Sequence, residues 1–157
     1  MINVRNAETK DIPVLQDMLM RIGNYHASLL PSLIKKNGEK RSETQIRDII
    51  FDTDKIVLIA ELNGDPVGFC IGSFADKPET EVSFSRRSIR VNDLYVCSEY
   101  RRQGIGGRLL AEIEAIAEKT GVDAVELTCW SVNSDAYGFY SKAGYLPEKV
   151  TFCKKTK

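Results

Sequence analysis

A chain of 157 residues is the size of one domain and can bury a real core. Apolar residues at 43% and charged residues at 28% describe an ordinary globule, and 22 Lys+Arg offset 22 Asp+Glu, so nothing in the balance calls for nucleic acid. No apolar run approaches a membrane span and the amino terminus lacks a signal pattern, so no membrane partner and a cytoplasmic location are expected.

Residues 2 to 6 read as a short first strand, after which Thr9 or Asp11 caps a helix carrying Ile12, Leu15, Leu19 and Ile22 on one face. A second helical stretch is expected from about Tyr25 through Lys36, interrupted by Pro31 and ending near Asn37-Gly38. Ser42 can cap the next helix, with Ile46, Ile49 and Ile50 inward. Ile56 to Ala60 forms a buried strand, Asn63-Gly64 turns it, and Val67 to Phe74 returns as an antiparallel partner. The turn-rich, charged Asp76-Lys77-Pro78-Glu79-Thr80 opens a loop expected to run through Arg87, before a strand from Ile89 to Cys97.

Ile105, Leu109, Leu110, Ile113, Ile116 and Ala117 then make a helical stripe that ends at Gly121. Ala124 to Trp130 is the next strand, residues 134 to 143 the last helix, and Val150 to Cys153 a closing strand. Strand, helix and strand at this length imply a right-handed crossover that sets Val91 to Cys97 parallel to Ala124 to Trp130. Short basic clusters at Lys35-Lys36 with Lys40-Arg41, at Arg86-Arg87 and at Lys154-Lys155 read as solvated surface. Cys70, Cys97, Cys129 and Cys153 are widely spaced and form no Cys-x-x-Cys pair, which argues against a metal site and for reduced thiols.

One segment is built for a ligand. Tyr100-Arg101-Arg102-Gln103-Gly104-Ile105-Gly106-Gly107-Arg108 follows an alternating strand and opens a helix, where unpaired amides, the dipole and glycines converge on an anion such as a phosphate. A dinucleotide fingerprint needs a third glycine where Leu109 stands, and a triphosphate loop needs a lysine that is missing. What remains is Arg-x-x-Gly-x-Gly at Arg101, Gly104 and Gly106, preceded by Asp93-Leu94-Tyr95-Val96. Downstream, Asn133, Ala136, Phe139-Tyr140 and Gly144-Tyr145 form Asn-x-x-Ala-x-x-Phe-Tyr-x-x-x-Gly-aromatic. Together with Val4 to Asp11, these segments resemble the GNAT N-acetyltransferase superfamily over nearly the whole chain.

The resemblance implies an α/β fold, with a mixed, mostly antiparallel central sheet splayed at one parallel strand pair and helices on both faces. It implies a single N-acetyltransferase domain over 1–157 and acetyl-coenzyme A as cosubstrate. Pantetheine would lie in the splay along Leu94, Tyr95, Val96 and Cys97, with the Val96 and Cys97 amides as its donors. The pyrophosphate would rest on the amides from Arg101 through Arg102, Gln103, Gly104, Ile105, Gly106, Gly107 and Arg108. Arg101, Arg102 or Arg108 would add charge, and the sequence does not rank them. Ser98 stands where many relatives have proline.

Acetyl transfer to an amine needs a nucleophile, a stabilised oxyanion and a proton for the departing thiolate. Tyr140 matches the family's general acid, although Ala136, Phe139, Tyr140 and Ala143 also recur at core-packing spacing. Asn133 bonds the cofactor or opening strand, caps its helix, or does both. Asp93 is the expected base or amine-binding group, with a water chain as the alternative. Polyamine-type relatives have Glu before that aspartate, whereas Asn92 is here. His26, the only histidine, reads as surface. The tail from Gly144 to Lys154 is similar to that of aminoglycoside 6′-N-acetyltransferases, but Lys35, Lys36, Lys40 and Arg41 suit a polycationic sugar poorly. The expectation is therefore an N-acetyltransferase for a small-molecule or peptide amine, paired as a homodimer. A non-catalytic coenzyme A-binding sensor is the rival from another class.

Overall fold

Ile56 to Ala60 alternates between two faces of a strand, and both faces are buried, as a sheet covered on both sides requires. The structure, a computed structural model, describes residues 1–38 and 40–157. Its strands β1 (Ile2–Asn6), β2 (Lys55–Leu62), β3 (Asp65–Lys77), β4 (Arg86–Val96) and β5 (Ala124–Leu127) lie in that order in one sheet. The helices are α1 (Ile12–Leu29), α2 (Glu43–Phe51), α3 (Ile105–Thr120) and α4 (Ser134–Lys142). All strand neighbours are antiparallel except β4 and β5. The expected α/β architecture is present.

One face of the sheet buries Val57, Ile59, Phe69 and Tyr95 against Leu15, Met18 and Ile22 of α1 and Ile46 of α2. The other buries Leu58, Cys70, Ile89 and Val91 against Leu109, Leu110 and Ile113 of α3. Each fully buried Leu or Ile removed from water contributes about 1.5 to 3 kcal/mol, so these two layers supply most of the drive to fold. The β2–β3 hairpin turns on Asn63 and Gly64, both at positive φ (55° and 95°), as a two-residue turn of this kind demands. Ser42 caps α2 as expected, and Gln45 returns a bond to the Ser42 amide to complete a capping box.

Several expected boundaries are corrected. Tyr25 to Leu29 is not a second helix but the last turns of α1, because Gly23 costs a helix only about 1 kcal/mol and does not stop it. The chain leaves that helix at Leu30, just before Pro31. Ile12, Leu15 and Ile22 of the α1 stripe are buried and Leu19 packs half-buried against them, while Met18 is a further fully buried member. The loop expected through Arg87 is shorter, since β3 runs to Lys77 and β4 starts at Arg86. Asp76 opposite Arg87 is an ion pair, and Glu126 bridges the like charges of Lys77 and Arg86, so the hairpin extends through charged residues. β5 stops at Leu127 instead of Trp130, and no strand forms at Val150 to Cys153, where Val150 and Phe152 are exposed. Strand propensity there has no neighbour to pair with.

Candidate active site

β4 pairs with β5 only from Ser88 to Val91, so the rest of β4 runs on beside a gap. The Cys97 amide donates to the Val67 carbonyl at 2.9 Å, and antiparallel pairing alternates, so the Val96 amide and carbonyl point away from β3 into the gap. Of the two amides expected to meet the ligand, Cys97 is thus committed to the sheet and Val96 is not. The loop that follows reaches α3 through Arg102 at φ 63° and Gly104 at φ 83°. Among the described residues, no amide from Arg102 to Gly107 donates to a main-chain carbonyl, and the first helical bond is Arg108 to Gly104. This is a row of orphan donors at the positive end of a 16-residue helix.

The geometry separates the three arginines. Arg101 folds back over the gap: its Nε donates to the Val96 carbonyl at 2.9 Å, and its guanidinium lies 5.6 Å and 5.7 Å from the ring centroids of Tyr25 and Tyr95. Arg102 and Arg108 are exposed at the helix start and form no ion pair among the described residues. Gly106 has a packing reason of its own, because a Cβ there would meet the Phe139 ring at 3.2 Å.

α4 packs beside the start of α3, where its Phe139 ring faces Gly106. Asn133 is buried, its Oδ1 accepts from the Ala136 amide to cap the helix, and Tyr25 donates to the same oxygen. The helix ends on Gly144 at φ 93°, with the Tyr145 amide reaching back to the Tyr140 carbonyl and the Gly144 amide to Ser141. That paired closure is what Gly-aromatic encodes, and the Tyr145 ring packs on Tyr140 with centroids 6.2 Å apart. Tyr140 is half-buried, its hydroxyl has no partner among the described residues, and burial pushes its pKa up to about 12.

Asp93 owes its position to a bulge. Ile89 and Val91 face α3, the register slips opposite Ile71 and Gly72, Asn92 takes the extra position, and Asp93 turns toward α1. Without the slip Asp93 would share the face of Val91. Burial raises its pKa, while Arg41 and His26 pull it down, and it forms no ion pair among the described residues. Asp93 also lies near enough to Tyr140 to disfavour the phenolate. A cleft of about 250 Å³ opens on its α1 side, lined by Gln16, His26, Lys35, Lys40 and Arg41 among others. The histidine read as surface is part of that wall. Gln16 and Asn24 in that lining, and Tyr25 bonded to Asn133, are contributors the sequence did not reveal.

A family model described as the acetyltransferase (GNAT) family matches residues 24–145. An uncharacterized N-acetyltransferase, YhfO of Bacillus subtilis, is 26% identical over 92% of this chain and 89% of its own length. A thialysine N-epsilon-acetyltransferase of Bos taurus is 29% identical, covering 91% of this chain and 83% of its own. A mutant of the BH1408 protein from Bacillus halodurans superposes with a TM-score of 0.93 at 18% identity over 99% of both chains. An aminoglycoside acetyltransferase from a soil metagenomic sample superposes at 0.74 with 19% identity, over 99% of this chain and 97% of that one. At these identities the two structures speak for the fold. No helix among the described residues is long and apolar enough to cross a membrane.

Proposed function

The chain belongs to the acetyltransferase (GNAT) family and is an acyltransferase, and from that premise we propose that it moves acetyl from acetyl-coenzyme A to a primary amine. The observation that carries the cosubstrate is the row of unpaired amides from Arg102 to Gly107 beside the open edge of β4. Those amides suit a diphosphate, with Arg102 and Arg108 better placed than Arg101 to add charge. The Val96 amide and carbonyl suit the amide chain of pantetheine, once Arg101 releases the carbonyl.

Acetyl-coenzyme A supplies the thioester whose carbonyl carbon accepts the amine and whose thiolate departs. The remaining work falls to two side chains. Asp93, facing the cleft, takes or relays the proton that the attacking ammonium must lose; a carboxyl raised by burial is a better base than an exposed one. Tyr140, kept protonated by burial, gives its hydroxyl proton to the thiolate and is a poor base at neutral pH. The bovine relative is named for acetylating the Nε of thialysine, which agrees with a primary amine on a flexible chain as acceptor. Incubating the protein with acetyl-labelled coenzyme A and a panel of primary amines tests the proposal. Labelled amide is the expected product. Coenzyme A that binds without transfer to any amine would favour the sensor reading instead.

A further inference from the structure

After α1 the chain is tied back to that helix at two residues, Asn37 and Arg41. Asn24 bonds Asn37 twice, accepting from its amide at 2.8 Å and donating to its Oδ1 at 3.1 Å, and Gln16 donates to the Arg41 carbonyl at 2.8 Å. Asn37 takes φ 52°, a conformation asparagine tolerates, which lets the segment fold back along the helix. The result is a built wall, and the cleft lies between it, α1 and Asp93.

That wall is cationic. Lys35, Lys40 and Arg41 line the cleft, none of them in an ion pair among the described residues, and the one carboxylate in the described lining is Asp93. Among the described lining residues, a diamine entering here would meet a single counter-charge for two ammonium groups, with three cations beside it. An amine that also carries a carboxylate would satisfy both ends. A volume of about 250 Å³ suits a small molecule.

We propose that the acceptor is a small ω-amino carboxylic acid, its amine directed to Asp93 and its carboxylate held by Lys35, Lys40 and Arg41. This rests on the acetyltransferase reading and narrows its acceptor. The charge pattern acts as selection in two directions, attracting the carboxylate and repelling a second ammonium. Aminoglycosides and polyamines are thereby disfavoured for the same reason.

The test compares three amines of one chain length: 5-aminopentanoate, 1-aminopentane and 1,5-diaminopentane. The expected order of kcat/KM is carboxylate, neutral, dication, with about tenfold or more between first and last. High salt should compress that ratio, because the cations are exposed. Arg41→Glu should shrink the carboxylate-to-diamine ratio by about tenfold, and Arg41→Gln by less, read as a ratio within one folded protein so that general damage cancels. A preference for the diamine, or a ratio indifferent to both variants, would overturn this inference and leave the acetyltransferase reading standing. Transfer to none of the three, nor to any amine of the wider panel, would overturn both.

Discussion

Tyr25 on α1 donates a hydrogen bond of 3.3 Å to Oδ1 of Asn133, which caps α4 from 108 positions further along the chain. One oxygen therefore serves two tasks, capping the first turn of α4 and tying α1 to it. Asn133→Ala should cost about 1 to 2 kcal/mol through the lost cap and bridge, and Tyr25→Phe about 0.5 to 1.5. Urea denaturation of both single variants and the double should show a deficit from additivity of about 0.5 kcal/mol or more. Simple addition of the two losses would mean that the bridge does not form in solution.

A second prediction concerns the amino-terminal strand. Arg5 reaches Asp11 through both terminal nitrogens, at 2.7 Å and 2.9 Å, and also holds Glu61. Asp11 is 3% exposed, and the Arg5 hydrogen bonds hold its carboxyl below the usual range. A depressed folded pKa gives stability that is complete above the unfolded value of about 4 and is lost as pH falls through the folded one. Asp11→Asn should cost about 2 to 3 kcal/mol at neutral pH, less than a fully buried pair because Arg5 is partly exposed, and should flatten the acid side of the stability curve. An unchanged acid transition in the variant would assign that slope to other carboxylates.

The glycine loop yields a prediction in which stability and binding part. A Cβ at Gly107 would meet nothing within 4 Å, and the residue sits inside α3, so Gly107→Ala should stabilise the free protein by about 0.5 to 1 kcal/mol. The added methyl crowds the row of free amides, so the rise in melting temperature on adding coenzyme A should shrink. Gly104→Val differs: there too a Cβ would meet nothing, but φ is 83°, so the cost is backbone strain of about 1 to 2 kcal/mol together with loss of the coenzyme A shift. Differential scanning calorimetry with and without coenzyme A separates the two behaviours. A full shift in folded Gly104→Val would remove the loop from the cofactor site.

What the sequence made legible was local in origin. Asn63-Gly64, the Ser42 cap and the stripe from Ile105 to Ala117 each follow from a few neighbouring residues, and each stands where its chemistry places it. The bulge at Asn92 was not legible, because a register slip belongs to the pairing of β4 with β3 and not to either strand alone. The same is true of the end of β5, of the unpaired tail at Val150 and of Arg101 lying between two tyrosines. The family resemblance singled out Tyr140 and, separately, Asp93, but the face on which Asp93 emerges is a tertiary fact.

Tyr140 provides the sharpest test of the chemistry. Tyr140→Phe keeps the ring that packs on Phe139 and Tyr145, with centroids 5.3 Å and 6.2 Å away, and removes only the hydroxyl, which has no partner among the described residues. Folding stability should therefore hardly change, and coenzyme A should bind as before. Turnover should fall by about a hundredfold or more if that hydroxyl protonates the thiolate. The pH profile adds an independent readout. With Tyr140 as the proton donor its acid form is the active one, and burial raises its pKa to about 12, so that form persists across the measurable alkaline range. The wild-type rate should accordingly show no alkaline decline due to this group below about pH 10. Near-normal turnover in Tyr140→Phe would leave the residue as packing between α4 and the sheet. A reference thiol pKa near about 8.5 offers a further diagnostic, because an acyl donor with a more acidic thiol needs less help in leaving. The deficit of the variant should then narrow with such a donor, and a deficit that stays constant would place the role of Tyr140 elsewhere than at the sulfur.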